Sequence, residues 1–288
     1  MISATALGRA EGKPAQYRRF TPASIATNLV LGAFGVVFAS PMLWLVLASF
    51  DQHAGWQVKV PELTLGNYRT VISYNYLDPI WNSLYLSLVA TAVTTAVSII
   101  TGYVLSTRHI PLKRTIMLSV LLLTGIPVTV LIVPIYELFV QLNWLNSIPA
   151  VGLLMAASSL PFGIWLMKNY IDAVPVEILE AAAVDGVGTR RTVLGVILPA
   201  TYSGVLVTVM VTFINAWGAF LVPLILISNP GSEPGSIALY QFLSAFVTPR
   251  IGPLAAYSLI FSLPVVVLYL FVARRLAGGF AFGGGVKG

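Results

Sequence analysis

Six stretches of this chain, each roughly 20 residues long or longer, contain no Asp, Glu, Lys or Arg. They are Thr27–Phe50, Asn82–Thr107, Thr115–Tyr136, Ile148–Met167, Thr201–Ile227 and Ala255–Ala273. An uncharged apolar run of about 20 residues is what a helix needs to cross the hydrocarbon of a bilayer. With 57% hydrophobic and only 9% charged residues, the chain has too little polar surface to enclose six such runs in water; a soluble domain carries about a quarter charged residues. The first run is too long for a signal-peptide core, and no small-residue cleavage site follows it, so it reads as a retained helix. The expected fold is all-α and integral to the membrane. Six transmembrane helices lie within residues 27–275, between tails at 1–26 and 276–288.

The basic residues orient the spans, because Lys and Arg accumulate on the cytoplasmic side. One side collects Arg9, Lys13, Arg18 and Arg19, then Arg108, Lys113 and Arg114, then Lys168, Arg190 and Arg191, then Arg274, Arg275 and Lys287. The other side has only Lys59, Arg69 and Arg250. Both termini are therefore expected in the cytoplasm. The net charge of +6 does not point to nucleic acid, since the basic residues flank apolar runs instead of forming a solvated patch with interleaved aromatics. With no cysteine and only His53 and His109, in different loops, disulfides, thiolate chemistry and a histidine metal site are excluded.

Pro41, Pro127, Pro134, Pro161, Pro223 and Pro264 fall inside spans, where each removes a backbone donor and kinks its helix. Kinks serve bundle packing or enclose a path, and proline alone does not separate the two. Outside the membrane, Asp51–Trp81 is long. The segment Ser228–Leu254 opens on turn-rich Asn229-Pro-Gly-Ser-Glu-Pro-Gly235 and becomes apolar through Ile237–Val247. An apolar external stretch is covered by a partner or packs back on its own chain; a partner is the expectation.

The cytoplasmic loop 168–200 carries the most information. Pro175 suits the first turn of a helix, and Glu177 and Glu180 lie near that helix's positive end. Ala181-Ala182-Ala183 has high helix propensity and little bulk, and Gly186 and Gly188 break the helix. Thr189 is placed to cap a second helix ending near Leu198, before Pro199 hands over to span five. The result is a short helix-turn-helix that either receives another protein or lies along the membrane surface.

Glu180-Ala-Ala-Ala-Val-Asp-Gly186, nine residues, then Val196-Ile-Leu-Pro199 resembles the EAA motif of ABC importer permeases, with Val196 in place of its isoleucine. Leu160-Pro-Phe-Gly-Ile-Trp165, Val174-Pro-Val-Glu177, Asn67-Tyr68, Asn82-Ser-Leu84 and the tail Gly285-Val-Lys-Gly288 extend the likeness to the maltose-transporter-type carbohydrate permeases, the smaller of their paired subunits. The resemblance implies a type I ABC importer permease-like bundle with a cytoplasmic coupling helix. Glu177, Glu180, Ala181, Ala182, Asp185, Gly186, Leu198 and Pro199 would then form the ATPase-coupling site. It also implies a second homologous permease subunit, two copies of an ABC ATPase subunit and an extracytoplasmic solute-binding protein. No cofactor would sit on this chain, ATP and Mg being held by the ATPase subunits. The cargo is expected to be a sugar or oligosaccharide, with polyol or glycerol phosphoester open.

One departure falls in span five. Where the family has Trp-Asn-Glu-Phe-Leu-Trp-Pro-Leu, this chain has Trp217-Gly-Ala-Phe-Leu-Val-Pro-Leu224, so the polar pair is lost. Asn215, Trp217 and Ser158 are the candidate translocation-path residues, each with a packing or backbone-bonding alternative. Two competing classes are weighed against the importer subunit. A self-sufficient secondary transporter commonly keeps ionisable groups in its spans, and these spans have none. A membrane enzyme would need a catalytic constellation that neither spans nor loops supply.

Overall fold

The computed structural model describes residues 22–55, 60–73, 75–184, 188–244 and 250–283. Among these residues the regular structure is helical, apart from an isolated bridge between Asp51 and Leu63. Four helices are long and apolar enough to cross a membrane alone: Ala26–Ser49, Asp78–Thr107, Ile148–Asp172 and Ile251–Ala277. Two bent pairs, Lys113–Leu123 with Val128–Gln141 and Thr189–Ala200 with Tyr202–Trp217, raise the number to six if each pair is one span.

The chain divides into two units, residues 1–45 and 46–288. The first contributes most of α1 (Pro22–Ser49), whose apolar side chains, among them Leu29, Phe34 and Phe38, are exposed. An apolar helix exposed on all sides suits a lipid environment.

The second unit starts with α2 (Gly66–Ser73), α3 (Asp78–Thr107), α4 (Lys113–Leu123) and, past a 3-10 turn at Val128–Leu131, α5 (Ile132–Gln141). It continues with α6 (Ile148–Asp172), α7 (Val176–Val184), α8 (Thr189–Thr192), a π turn at Val193–Ile197, α9 (Leu198–Ala200) and α10 (Tyr202–Trp217). Then come α11 (Leu221–Leu226), α12 (Gly235–Ser244) and α13 (Ile251–Gly283). The α3–α6 pair is the centre. In lipid no hydrophobic force drives helices together, so close approach of small residues must hold them. α3 supplies buried Ser87, Thr91, Thr94 and Ser98, and α6 supplies Gly152, Ala156 and Gly163. A Cβ on Gly163 would lie 2.5 Å from Ser98 Oγ, and one on Gly102 would lie 3.1 Å from the Lys168 backbone nitrogen. Thr94 Oγ1 donates across the seam to the Ala156 carbonyl at 3.3 Å.

Two of the six expected spans are not continuous helices. Thr115–Tyr136 is interrupted at Thr124–Pro127, and the flanking helices diverge by 80°. Pro127 has no N–H to donate and restricts Ile126, while Thr124, Gly125 and Ile126 turn back on carbonyls three residues earlier. Thr201–Ile227 is helical only to Trp217; Gly218–Phe220 is irregular, and Leu221–Leu226 is a separate short helix. Other boundaries move outward, α3 to Asp78, α6 to Asp172 and α13 to Ile251. Pro134 and Pro223 thus sit in first turns of short helices, where proline is tolerated.

The external apolar segment packs in part on its own chain, with Tyr240 and Leu243 left exposed and residues 245–247 outside the described residues. Ile237, Ala238 and Phe242 of α12 are buried within this chain, with Val71, Ala256 and Tyr257 around Ala238 and Phe242. Polar clamps hold the turn before it. Asn82 Nδ2 donates to the carbonyls of Gly231 at 3.1 Å and Glu233 at 3.0 Å. The Asn146 Oδ1 accepts from the amides of Ser228 and Asn229 at 2.7 and 2.9 Å. Asn146 itself has a positive φ of 62°, a conformation asparagine tolerates better than most residues.

Candidate functional site

Both helix breaks open onto one cavity of about 620 Å³. Its wall includes Thr124, Ile126 and Pro127 from the first break and Ala219 and Phe220 from the second. α6 contributes Ser158, Ser159 and Phe162, and α10 contributes Thr212 and Asn215. Unwound backbone at membrane depth is tolerated where it is buried in protein or lines a wet cavity, because the freed amide groups need partners. The lining mixes hydroxyls, one amide and two aromatic rings, with no ionisable side chain. Such a surface can offer hydrogen bonds and apolar faces to a neutral polar solute. It holds no counter-charge for an ion.

Of the three path candidates, Asn215 and Ser158 line this cavity and Trp217 does not. The Asn215 side chain is exposed to it, whereas the Ser158 hydroxyl donates to the Met155 carbonyl of its own helix at 2.9 Å. Trp217 is 3% exposed, stacks on Phe213 and Phe261, and donates its indole N–H to the Phe261 carbonyl at 3.1 Å. It packs α10 against α13. The sequence reading missed Thr124, Thr212, Phe162 and Phe220. The signal was available in Gly125 with Pro127 and in Gly218, helix-weakening residues inside apolar runs.

At the other end of α3 and α6 stands the loop carrying Glu180. α6 runs through Lys168, whose ammonium pairs with Asp172 one turn later. Pro175 precedes α7, accepting from the Ile178 amide at 3.2 Å. Val176, Leu179 and Glu180 share the side of α7 that lines a second crevice of about 470 Å³, opposite Tyr103, Ser106 and Arg108 at the end of α3. Glu177 and Ala181 are exposed and absent from that lining, so they lie on a different face. The backbone of Ala182 continues α7; Asp185 and Gly186 lie outside the described residues. The N-cap of the second helix is Gly188, not the expected Thr189: its carbonyl accepts from the Thr192 amide at 3.0 Å, and no side chain caps the end.

A buried apolar hub ties this loop to the bundle. Ile99, Tyr103, Met167, Ile171 and Ile197 form it, and Leu179, Val193, Leu198 and Val205 pack against it. Leu198 therefore faces its own chain, while Pro199 is exposed. Pro199 explains the π turn at Val193–Ile197. A proline ring collides with the carbonyl four residues back, here Gly195. Widening the helix so that the Leu198 amide reaches the Val193 carbonyl relieves the collision. Pro199→Ala is expected to let these residues close into an α-helix with one added hydrogen bond. Amide exchange across residues 195–201 should slow by about fivefold, measured by mass spectrometry; unchanged exchange would contradict this origin of the turn.

Residues 95–277, which hold both cavities and the loop, match the family described as the binding-protein-dependent transport system inner membrane component. The chain belongs to that family, whose members are membrane permeases of ABC importers. It is 30% identical over 285 residues to the sulfoquinovosyl glycerol transport system permease of Agrobacterium fabrum, covering 96% of this chain and 95% of that one. It is 25% identical to the trehalose/maltose transport system permease of Thermococcus litoralis, over 88% of this chain and 95% of that one. A further relative, the diacetylchitobiose uptake system permease of Streptomyces coelicolor, is 27% identical over 88% of this chain and 93% of its own length. In fold, the chain resembles one in the crystal structure of a bacterial alginate ABC transporter in complex with an alginate pentasaccharide-bound periplasmic protein. The TM-score is 0.64 at 16% identity, with 88% of this chain and 94% of that chain covered.

Proposed function

We propose that this chain is the permease subunit of a sugar importer and that the 620 Å³ cavity is its share of the translocation path. The observation that carries the reading is the meeting of two helix breaks, Thr124–Pro127 and Gly218–Phe220, at one cavity lined by hydroxyl, amide and aromatic groups but no charge. Broken helices at membrane depth recur in transporters as solute sites, and a neutral lining suits the uncharged sugars named for several relatives. A second, homologous permease closes the other side of the path. An extracytoplasmic binding protein delivers cargo at the end carrying the clamped turn 228–235. Two ATPase subunits, with ATP and Mg, complete the assembly; one of them docks at the loop 168–200, and α7 transmits its motion. Glu177 and Ala181 lie on the face of α7 that meets the ATPase, Glu180 sits beside the second crevice, and Ala182, Asp185 and Gly186 belong to the same coupling segment. The charge distribution supports an inner-membrane orientation with both termini cytoplasmic.

Asn215→Leu removes the one amide in the cavity wall while keeping similar bulk. Uptake of the sugar accepted by the assembled complex is expected to fall by about tenfold, with ATP hydrolysis retained, as one lost polar contact to cargo predicts. Uptake within about twofold of the unmodified complex, less than the cost of one lost hydrogen bond, would remove Asn215 from the path.

A further inference from the structure

Six aromatic rings form a continuous column from the external turn to the cavity wall. Tyr76, in the turn before α3, stands 4.4 Å from Phe242 of α12, centroid to centroid. Phe242 lies 5.4 Å from Tyr257 of α13, and Tyr257 is stacked 6.2 Å from Phe261 one turn on. Phe261 stacks on Trp217 of α10 at 4.8 Å, and Trp217 on Phe213 at 5.5 Å. Two hydrogen bonds pin the column at separate heights. Tyr257 Oη donates to the Gly235 carbonyl at 3.2 Å, and the Trp217 indole donates to the Phe261 carbonyl at 3.1 Å. Gly235 has no room for a side chain beside these rings, since a Cβ would lie 2.7 Å from Phe261. Trp217 is next in sequence to Ala216 and two residues from Asn215, both in the cavity wall, and it immediately precedes the break Gly218–Phe220.

We infer that Tyr76, Phe242, Tyr257, Phe261 and Trp217 are positioning residues that set the opening of the cavity according to how the external segment around α12 is held. Packed rings are nearly incompressible and adopt discrete arrangements. A shift of α12 therefore passes through α13 to Trp217 and moves the end of α10, where Asn215 and the second break stand. A partner that binds the external segment differently in two states biases the cavity between two widths, which is the differential contact that coupling requires. None of the five rings touches the cavity itself, so each acts through the end of α10. The inference rests on the reading of the cavity as the path.

This chain has no cysteine, so Ser159→Cys in the cavity wall gives it a single reporter, read in the full complex against the complex without the substitution. The probe is a charged, water-soluble methanethiosulfonate reagent, and the readouts are its rate of reaction and the uptake remaining afterwards. Phe242→Leu keeps apolar bulk but removes the ring, so a role in core packing alone predicts no change. The column predicts a change of at least about fivefold in reaction rate, the lower range of coupling between sites. Tyr76→Ala should shift the rate in the same direction, Tyr76→Phe should restore it, and Tyr85→Ala, an exposed ring on α3 outside the column, should leave it alone. Rates within about twofold across Phe242→Leu and Tyr76→Ala, below the range of allosteric coupling, would overturn the inference, as would no reaction in any variant. If the rates shift as expected but complete modification of the cysteine leaves uptake intact, the column stands and the cavity is not the path.

Discussion

ATP-driven uptake is expected to fall by at least about tenfold in Leu179→Asp, while ATP hydrolysis by the complex continues. Among the α7 residues whose side chains are described, Leu179 is the one that packs against the hub of Ile99, Tyr103, Met167, Ile171 and Ile197. Its neighbours in sequence, Ile178 and Glu180, are exposed, so α7 hangs on the bundle largely through this side chain. A carboxylate there gives up the apolar contact with the hub and turns toward Arg108 and Ser106 across the crevice, a loss of about 2 kcal/mol for the seated arrangement. The helix then leaves its seat without altering any membrane span. On the proposed docking, Glu177 and Ala181 stay on the free face, so an ATPase held there would keep its contact and lose only the lever. Reconstituted complexes assayed for both hydrolysis and uptake check this. Equal loss of both activities would mean that Leu179 holds the ATPase itself, and retention of both would mean that α7 transmits nothing through the hub.

Gly204→Leu is expected to destabilise the bundle by about 3 kcal/mol or more, the upper range for overpacking a close-fitted site. A Cβ at Gly204 would lie 2.4, 2.6 and 2.8 Å from three atoms of the Tyr170 side chain. The ring is wedged between α6 and α10 near the root of the loop, so it has to leave or push the helices apart. Separating them breaks the hub, since Met167 and Ile171 of α6 and Val205 of α10 belong to it. Gly195→Ala is the matched control, because nothing lies within 4 Å of its Cβ position. Thermal unfolding in detergent, followed by loss of the monodisperse peak, should separate the two variants. Equal melting would show that Tyr170 has room to move.

Much of this was legible in the residues because lipid imposes few solutions. Uncharged runs marked the spans, and the spacing from Glu180 to Pro199 marked the loop. The breaks were harder to read. Pro127 and Pro223 announce weakened helices, but Pro161 and Pro264 lie inside unbroken ones, so proline identity alone does not decide between a kink and a break. A nearby glycine does not decide it either, since Gly163 lies two residues from Pro161 in an unbroken helix; tertiary partners such as the Ser236 hydroxyl, which donates to the Ala219 carbonyl, hold the broken backbone. The burial of Ile237 and Phe242 within the chain was not decided by the residues alone, for a related reason. Hydropathy marks a residue as covered without saying by what, and α2 and α13 come from opposite ends of the chain. Trp217 had the composition of a cavity residue, yet only the positions of Phe213 and Phe261 reveal it as a packing ring.

The central claim is that this chain is one subunit of a larger ATP-driven importer. The most direct test is a detergent pull-down of the tagged chain expressed with its neighbouring genes, with bound subunits identified and counted by mass spectrometry. The expected result is a second permease homologous to this one and an ATPase carrying a phosphate-binding loop, present in two copies. A chain that purifies alone or with copies of itself, and still transports solute after reconstitution, would contradict it.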